Sequence, residues 1–391
     1  MTYIDPIFIQ PLLSKDGTWS GYRVEFAPRA GCFDALTSLG KDQLDRFDAR
    51  LPWLFPILPG GTRSDVGGER NVTVMPSQPP ASDLDWMAKA EGELRQENRQ
   101  LALEISAGAP IPPAEKTWNH MLISAGAARA LPPYGLLGLS SRTALIATDV
   151  HTLNDRHWLF DNGCQLTTGE YLLVRTHQRE NQADITRLKL LKLLALLAED
   201  ADTAELERVF REEAKLSYSL MRLVNSAAVS PRSPITIFAQ AINLLGRRQL
   251  QRWLQLLVYS DPDNGQQANP LLQKAAMRGH LLEMLAHCLN TEQTAAEGDT
   301  AFMIGAFSLL DVLLNLPMQE ILKQLPLPEV ARHALNGREG SYGKLLDVVE
   351  AADRHELGAA AASLKQTGIS AECYRDAQIE SLAWAAGIRH A

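Results

Sequence analysis

The chain has 391 residues, 46% of them hydrophobic and 21% charged, with a formal net charge of −8. That mixture suits folded domains rather than a disordered chain, and the length exceeds what one core usually organises, so two domains are expected. The negative balance offers no bulk attraction to phosphate backbones or anionic lipid, which excludes a general nucleic-acid or membrane-surface binder.

In chain order, the N-terminus "MTYIDPIFIQ" lacks the basic region and long apolar run of a signal peptide. No stretch approaches the roughly 18 continuous apolar residues of a membrane span. Cys32, Cys164, Cys288 and Cys373 lie far apart without a CxxC pair. This spacing argues against a zinc site and against a disulfide framework, and it suits a reducing cytoplasm. A cytoplasmic protein is the expectation.

Up to about residue 178 short apolar runs alternate with Pro- and Gly-rich breaks: "YIDPIFIQPLL", "NVTVM", "LALEIS", "TALIATDV" and "EYLLV". Their Leu-rich or β-branched character and their breakers predict buried strands. Helices are predicted over 83–99 and 113–130, and alternation of the two types implies a parallel sheet. The polar segment 176–184, "THQRENQAD", reads as a linker after a 1–178 domain. From 185 to 391 the pattern is amphipathic helix broken at 230–234, 261–270, 291–300 and 336–343, which predicts an all-α domain.

Within that domain the run 216–254, "LSYSLMRLVNSAAVSPRSPITIFAQAINLLGRRQLQRWL", is the most informative. It resembles the signature of the HDOD domain, a bacterial signalling module related in fold to HD hydrolases. Leu216-Ser217, "LMRLVNSA", Ile235 and Ile237, and "AINLLG" carry the likeness, which continues through "FMIGAFSLLDVLL" (302–314), "PMQEILKQLPLP" and "GKLLDVVEAAD". It marks Asn225, Ser226, Gly246 and Asp311 as family-signature positions, structural or interaction-bearing. Asn225, following an apolar helix face, can bond backbone where the helix ends. Gly246 suits a helix terminus or a close helix approach.

Asp311 is read as lying near the centre of one helix, preceded by Leu310 where an HD hydrolase would have a metal-binding His. His280 and His287 share a helix face but stand about 10.5 Å apart along it, too far to bind one ion. His333 and His355 sit in segments with no ligand-like partner, and the four read as one amphipathic histidine and several solvent-facing ones. In "GRRQLQRW", Arg247, Arg248, Arg252 and Trp253 could contact nucleic acid, but a solvated or partner-facing edge is the reading adopted. The HDOD likeness therefore implies a binding scaffold without metal chemistry.

The N-terminal part resembles the EAL cyclic-di-GMP phosphodiesterase barrel, and the order EAL then HDOD resembles the YuxH-like architecture. "FIQPLLSKDGTWSGYRVEF" (8–26) matches a first strand, turn and second strand, with Arg-Val-Glu where the family has Glu-Ala-Leu. Arg23 thus replaces a metal ligand. Glu25, on the same side of the strand, is its expected partner. Glu104 of "LALEIS" survives. Met75, Ala147 and Thr168 stand where the likeness implies polar site residues, while Asp149 is retained. The double-Asp strand is matched to "YGLLGLSS" (134–141), which carries no carboxylate.

Two Mg²⁺ ions cannot be held by Glu104 alone. About 180 residues is short for a barrel of roughly 250, so a degenerate or trimmed α/β barrel of TIM type is expected. The expectation is a non-catalytic scaffold linked to cyclic-di-GMP signalling. It needs no cofactor or metal, binds other signalling proteins, and involves neither nucleic acid nor membrane. The alternatives are a residual metal-dependent phosphodiesterase or phosphohydrolase, and a receptor that binds cyclic-di-GMP weakly without cleaving it.

Overall fold

The computed structural model describes residues 6–27, 39–58, 68–106, 108–111, 116–175, 221, 224–225, 235, 249, 251–259, 269–290 and 294–388. The chain divides into two compact units, residues 1–174 and 175–391.

The first unit is a closed barrel of eight strands in sequential order. The strands are β1 (Ile7–Leu13), β2 (Trp19–Phe26), β3 (Trp53–Pro56), β4 (Asn71–Pro76), β5 (Gln100–Ile105), β6 (His120–Ser124), β7 (Ala144–Thr148) and β8 (Cys164–Thr167). β1 runs antiparallel to both neighbours, and every other pairing is parallel.

The antiparallel start follows from "LSKDGTW". Gly17 takes φ 85°, and the Ser14 hydroxyl and Thr18 N–H tie the turn to the Thr18 carbonyl and the Asp16 carboxylate. A two-strand hairpin needs no crossover helix. Leu12, Leu54, Val72, Val74, Ala102, Leu122 and Ile146 fill the barrel interior. Residues of opposite strand parity, among them Leu101, Leu103, Met121, Ile123 and Leu145, pack outward under the helices.

Five α-helices are described in this unit: α1 (Lys41–Leu44), α2 (Leu84–Gln96), α3 (Ala125–Arg129), α4 (Gly135–Ser140) and α5 (Leu153–Asp161). Since all eight strands close, none is missing. The shortness of the unit falls on its connections, several of whose helices are a turn or so long.

Three sequence readings change here. "EYLLV" is a 3₁₀ turn over Glu170–Leu173 rather than a strand, because Cys164–Thr167 already closes the barrel. The span 113–130 is not one helix, because "HMLIS" is β6 and only 125–129 is helical. Its apolar centre is sandwiched between barrel and helices, and such a strand shows no alternation to distinguish it from helix. "YGLLGLSS" is helix α4 rather than a strand, entered through Tyr134 at φ 63°. The strand following β5 is therefore β6, and it too carries no carboxylate.

The second unit is helical throughout its described elements: α6 (Pro270–Leu289), α7 (Ala295–Phe307), α8 (Leu310–Leu314), α9 (Met318–Leu322), α10 (Glu329–Gly337), α11 (Gly340–Asp353), α12 (Leu357–Thr367) and α13 (Ala371–Ala386). Asn269, Thr294 and Ser370 cap α6, α7 and α13 by accepting from backbone N–H groups. "FMIGAFSLLDVLL" is two helices: α7 ends at Phe307, so Asp311 lies in the first turn of α8 and not mid-helix.

Cys288 of α6 and Cys373 of α13 form a disulfide, with Cα atoms 6.4 Å apart. This corrects the expectation drawn from cysteine spacing. A separation of 85 residues gives no local signal, and helix packing alone brings the pair together. No described helix is long and apolar enough to cross a membrane.

Candidate functional site

In parallel barrels the C-terminal ends of the strands form the face on which sites are built. Register places Gln10, Arg23 and Leu54 at one level inside the barrel, because each is paired with the next across β1, β2 and β3. Two residues further along β2, Glu25 faces the same way, and Glu104 does so from β5.

The Arg23 guanidinium is the centre of this mouth. Its Nη2 donates to Glu104 Oε1 at 2.7 Å and lies 2.8 Å from Glu25 Oε1. Burial alone would lower the Arg23 pKa, but the carboxylates of Glu25 and Glu104 outweigh it and hold the group above its ordinary value. The sequence-predicted pairing of Arg23 with Glu25 is present, and Glu104 joins it.

Thr168 and Gln10 both donate to a carboxylate the sequence reading passed over, Glu170. Val150 N–H donates to it as well, at 3.2 Å. Glu170 is 4% exposed, so a buried acid is held by three donors that join β1 to the chain around β7 and β8. A Glu after the Thr-Thr-Gly break, beside apolar "YLL", was the available signal. Ala147 is buried and Asp149 exposed at the end of β7. As arranged, the mouth does not fit a divalent cation, since a guanidinium stands between the two nearest carboxylates. Among the described residues no group of three or more His, Cys, Asp or Glu is placed to hold a metal ion.

In the helical unit, the Asn225 side chain closes a turn. Its Nδ2 donates to the carbonyls of Met221 and Ile235, and its Oδ1 accepts from Ile235 N–H, each at 2.7 Å. Ser226, Gly246, Arg247, Arg248 and the 176–184 segment lie outside the described residues. Among the described residues, Asp311 is not part of a group of His, Cys, Asp or Glu placed to hold a metal ion. Burial raises its pKa, and Arg175 Nε stands 3.9 Å from its carboxylate.

The charged centre of this unit lies elsewhere. Arg278 Nε donates to Asp353 at 2.7 Å and its Nη1 to Ser308 at 2.9 Å. Lys274 also pairs with Asp353, while Arg338 grips Glu350 with both Nε and Nη2. Lys274 and Arg278, four apart among the apolar residues Leu271, Leu272, Ala275, Ala276, Met277, Leu281 and Leu282, were the legible hint of buried partners.

Arg252 and Trp253 form no exposed edge. Arg252 bonds Glu283 and Asp299, and Trp253 is 1% exposed, packed on Trp384 at 5.4 Å. His280 stacks on the same Trp384 at 4.9 Å, and its Nδ1 meets Ser381 Oγ at 3.1 Å. Burial depresses its pKa to about 4.

Residues 187–360 match the HDOD domain family. The chain carries an HDOD domain.

Across 189 residues it is 29% identical to the cyclic di-GMP phosphodiesterase CdgJ of Vibrio cholerae serotype O1, covering 48% of this chain and 43% of that protein. It is 31% identical over 137 residues to the uncharacterized protein YuxH of Bacillus subtilis, covering 34% of this chain and 32% of YuxH. The matches thus span less than half the length of either relative.

Among solved structures, the Bacillus subtilis YkuI protein, with an EAL domain and bound to c-di-GMP and calcium, is 16% identical. It covers 61% of this chain and 72% of that one, at a TM-score of 0.32. The EAL-like domain protein YdiV is 13% identical, covering 43% of this chain and 90% of its own, also at 0.32. At such scores the strand order of the barrel, not the likeness, defines its fold. The relationship to CdgJ corrects one expectation from the sequence: a chain 29% identical to a protein named a phosphodiesterase is not classed as a non-enzyme on its missing ligands.

Proposed function

We propose that this HDOD-containing chain is a regulatory protein of cyclic-di-GMP signalling that acts by associating with other signalling proteins. The ordered HDOD match over 187–360 carries this reading, and the name of CdgJ supports the pathway. The helical unit is consistent with that mode of action: among the described residues its central charges, Lys274, Arg278 and Arg338, pair with Asp353 and Glu350. A second reading, turnover of cyclic-di-GMP at the barrel mouth, is favoured by the same relative.

The test is deletion from the native host followed by restoration with wild-type or Glu104→Ala protein, reading cellular cyclic-di-GMP and surface attachment. Equal rescue by both proteins at equal abundance supports association. Failure of a folded Glu104→Ala protein favours turnover. No change in either readout on deletion overturns the assignment to this pathway.

A further inference from the structure

The Cys288–Cys373 disulfide joins the last turn of α6 to the first turn of α13. Both cysteines are part-exposed, and the neighbouring His287, Leu289 and Asn290 face solvent. A thiolate from outside can therefore reach the sulfurs without the unit opening. Cys164, by contrast, is buried, and burial pushes its thiol up to about 12, so it is inert to such exchange.

Helices α6 and α13 run antiparallel: Cys288 meets Cys373, and His280, earlier on α6, meets Ser381, later on α13. The His280–Trp384 stack at 4.9 Å and the bond from Gln273 Nε2 to the Ala385 carbonyl at 3.4 Å lie at that far end too. These contacts hold the C-terminal half of α13, and the disulfide adds a covalent tie at its N-terminal end. Helix α6 lies inside the HDOD match at 187–360, whereas α13 lies beyond it. The bond thus staples an appended helix to the matched domain.

Breaking it leaves α13 its own cap, since Ser370 Oγ accepts from Cys373 N–H at 3.2 Å. The short link from Thr367 at the end of α12 keeps the helix close. Docked, the two Cα atoms are 6.4 Å apart, a spacing that suits a disulfide, so reclosure needs no rearrangement. The sulfurs differ as leaving groups. Cys373 lies at the positive end of α13, which stabilises a thiolate, and Glu372 beside it offsets part of that. Cys288 lies among the last carbonyls of α6, which oppose one.

We propose that Cys288–Cys373 is a thiol–disulfide exchange site for a dithiol reductant, and that its redox state sets how firmly α13 is docked on α6. One thiolate of the dithiol attacks Cys288 Sγ, the Sγ–Sγ bond breaks, and its electron pair leaves on Cys373 Sγ. The second thiolate then attacks the mixed disulfide and displaces Cys288. Two electrons and two protons pass to the protein, which ends with two thiols, and the dithiol ends as a disulfide. A tie across 85 residues of sequence is then lost, and α13 opens more readily. The site does not depend on the function proposed above.

Hydrogen exchange of the full chain, purified without reductant, tests this with and without millimolar dithiothreitol, while peptide mapping of alkylated cysteines reports the bond. Reduction is expected without denaturant, with exchange over 371–386 faster by about tenfold or more and exchange over 295–307 unchanged. Oxidised glutathione should restore the slow exchange. Cys288→Ser should exchange fast from the start and ignore dithiothreitol. Thiols free before any reductant is added, a bond that resists dithiothreitol in the folded protein, or exchange over 371–386 unchanged by reduction each overturn the proposal. So does a rise across the whole helical unit, which marks the bond as a staple of the global fold.

Discussion

Arg23 stands between Glu25 and Glu104 with about a tenth of its side chain exposed. Removing it leaves two carboxylates whose oxygens both pointed at one nitrogen. Arg23→Ala is expected to cost about 2–3 kcal/mol, less than a fully buried pair because Glu104 is 40% exposed. Millimolar Ca²⁺ should recover part of that loss in the variant and leave wild type unchanged, measured by urea unfolding. A variant indifferent to Ca²⁺ would show that the carboxylates separate once the arginine is gone.

His280 supplies a pH dependence. Its folded pKa of about 4, depressed first by burial, lies below the ordinary 6.5. The unfolded chain therefore binds the extra proton between these values. Stability from this group is complete above pH 6.5 and falls as pH drops toward 4, by on the order of 3 kcal/mol in the limit. Urea midpoints at pH 7 and 5 should differ more for wild type than for His280→Phe, which keeps the stack on Trp384.

At the scale of elements, the crossing of α6 and α7 depends on two glycines. A Cβ on Gly305 would lie 2.3 Å from the Arg278 carbonyl oxygen and 2.8 Å from Gly279 Cα. The backbones touch there, and Ser308 Oγ, bonded to the Gly305 carbonyl, receives Arg278 at the same place. Gly305→Ala should therefore cost about 1–3 kcal/mol or more, a drop of several degrees in Tm. Gly358, in α12, is the matched control, since a methyl added there would meet nothing within 4 Å. At that position Ala should be neutral or raise stability by about 0.4–1 kcal/mol. "FMIGAF" reads as apolar helix, and its periodicity gives no sign that Gly305 is a contact point. Only the partner helix makes that evident.

For the whole molecule, each unit has an interior of its own, a filled barrel in one and packed helices in the other. Separately expressed 1–178 and 185–391 are each expected to unfold cooperatively, as read by circular dichroism during heating. A fragment that melts without a transition would place the division elsewhere.

The sequence alone determined the order of α/β and helical halves from strand and helix periodicity. Its likeness to known families supplied the strand, turn and strand over 8–26 and the HDOD region, while the antiparallel pairing of β1 was decided by the tertiary structure. The sequence also placed Arg23 beside Glu25, because two residues apart on a strand share a face. Tertiary structure decided what no local pattern encodes. Glu104 reaches Arg23 across 81 residues, and Lys274 and Arg278 reach Asp353 across 79 and 75. Cys288 meets Cys373, and all eight strands close despite shortened connections. Which distant side chains meet is set by strand register and helix crossing, and those follow from packing the whole chain at once.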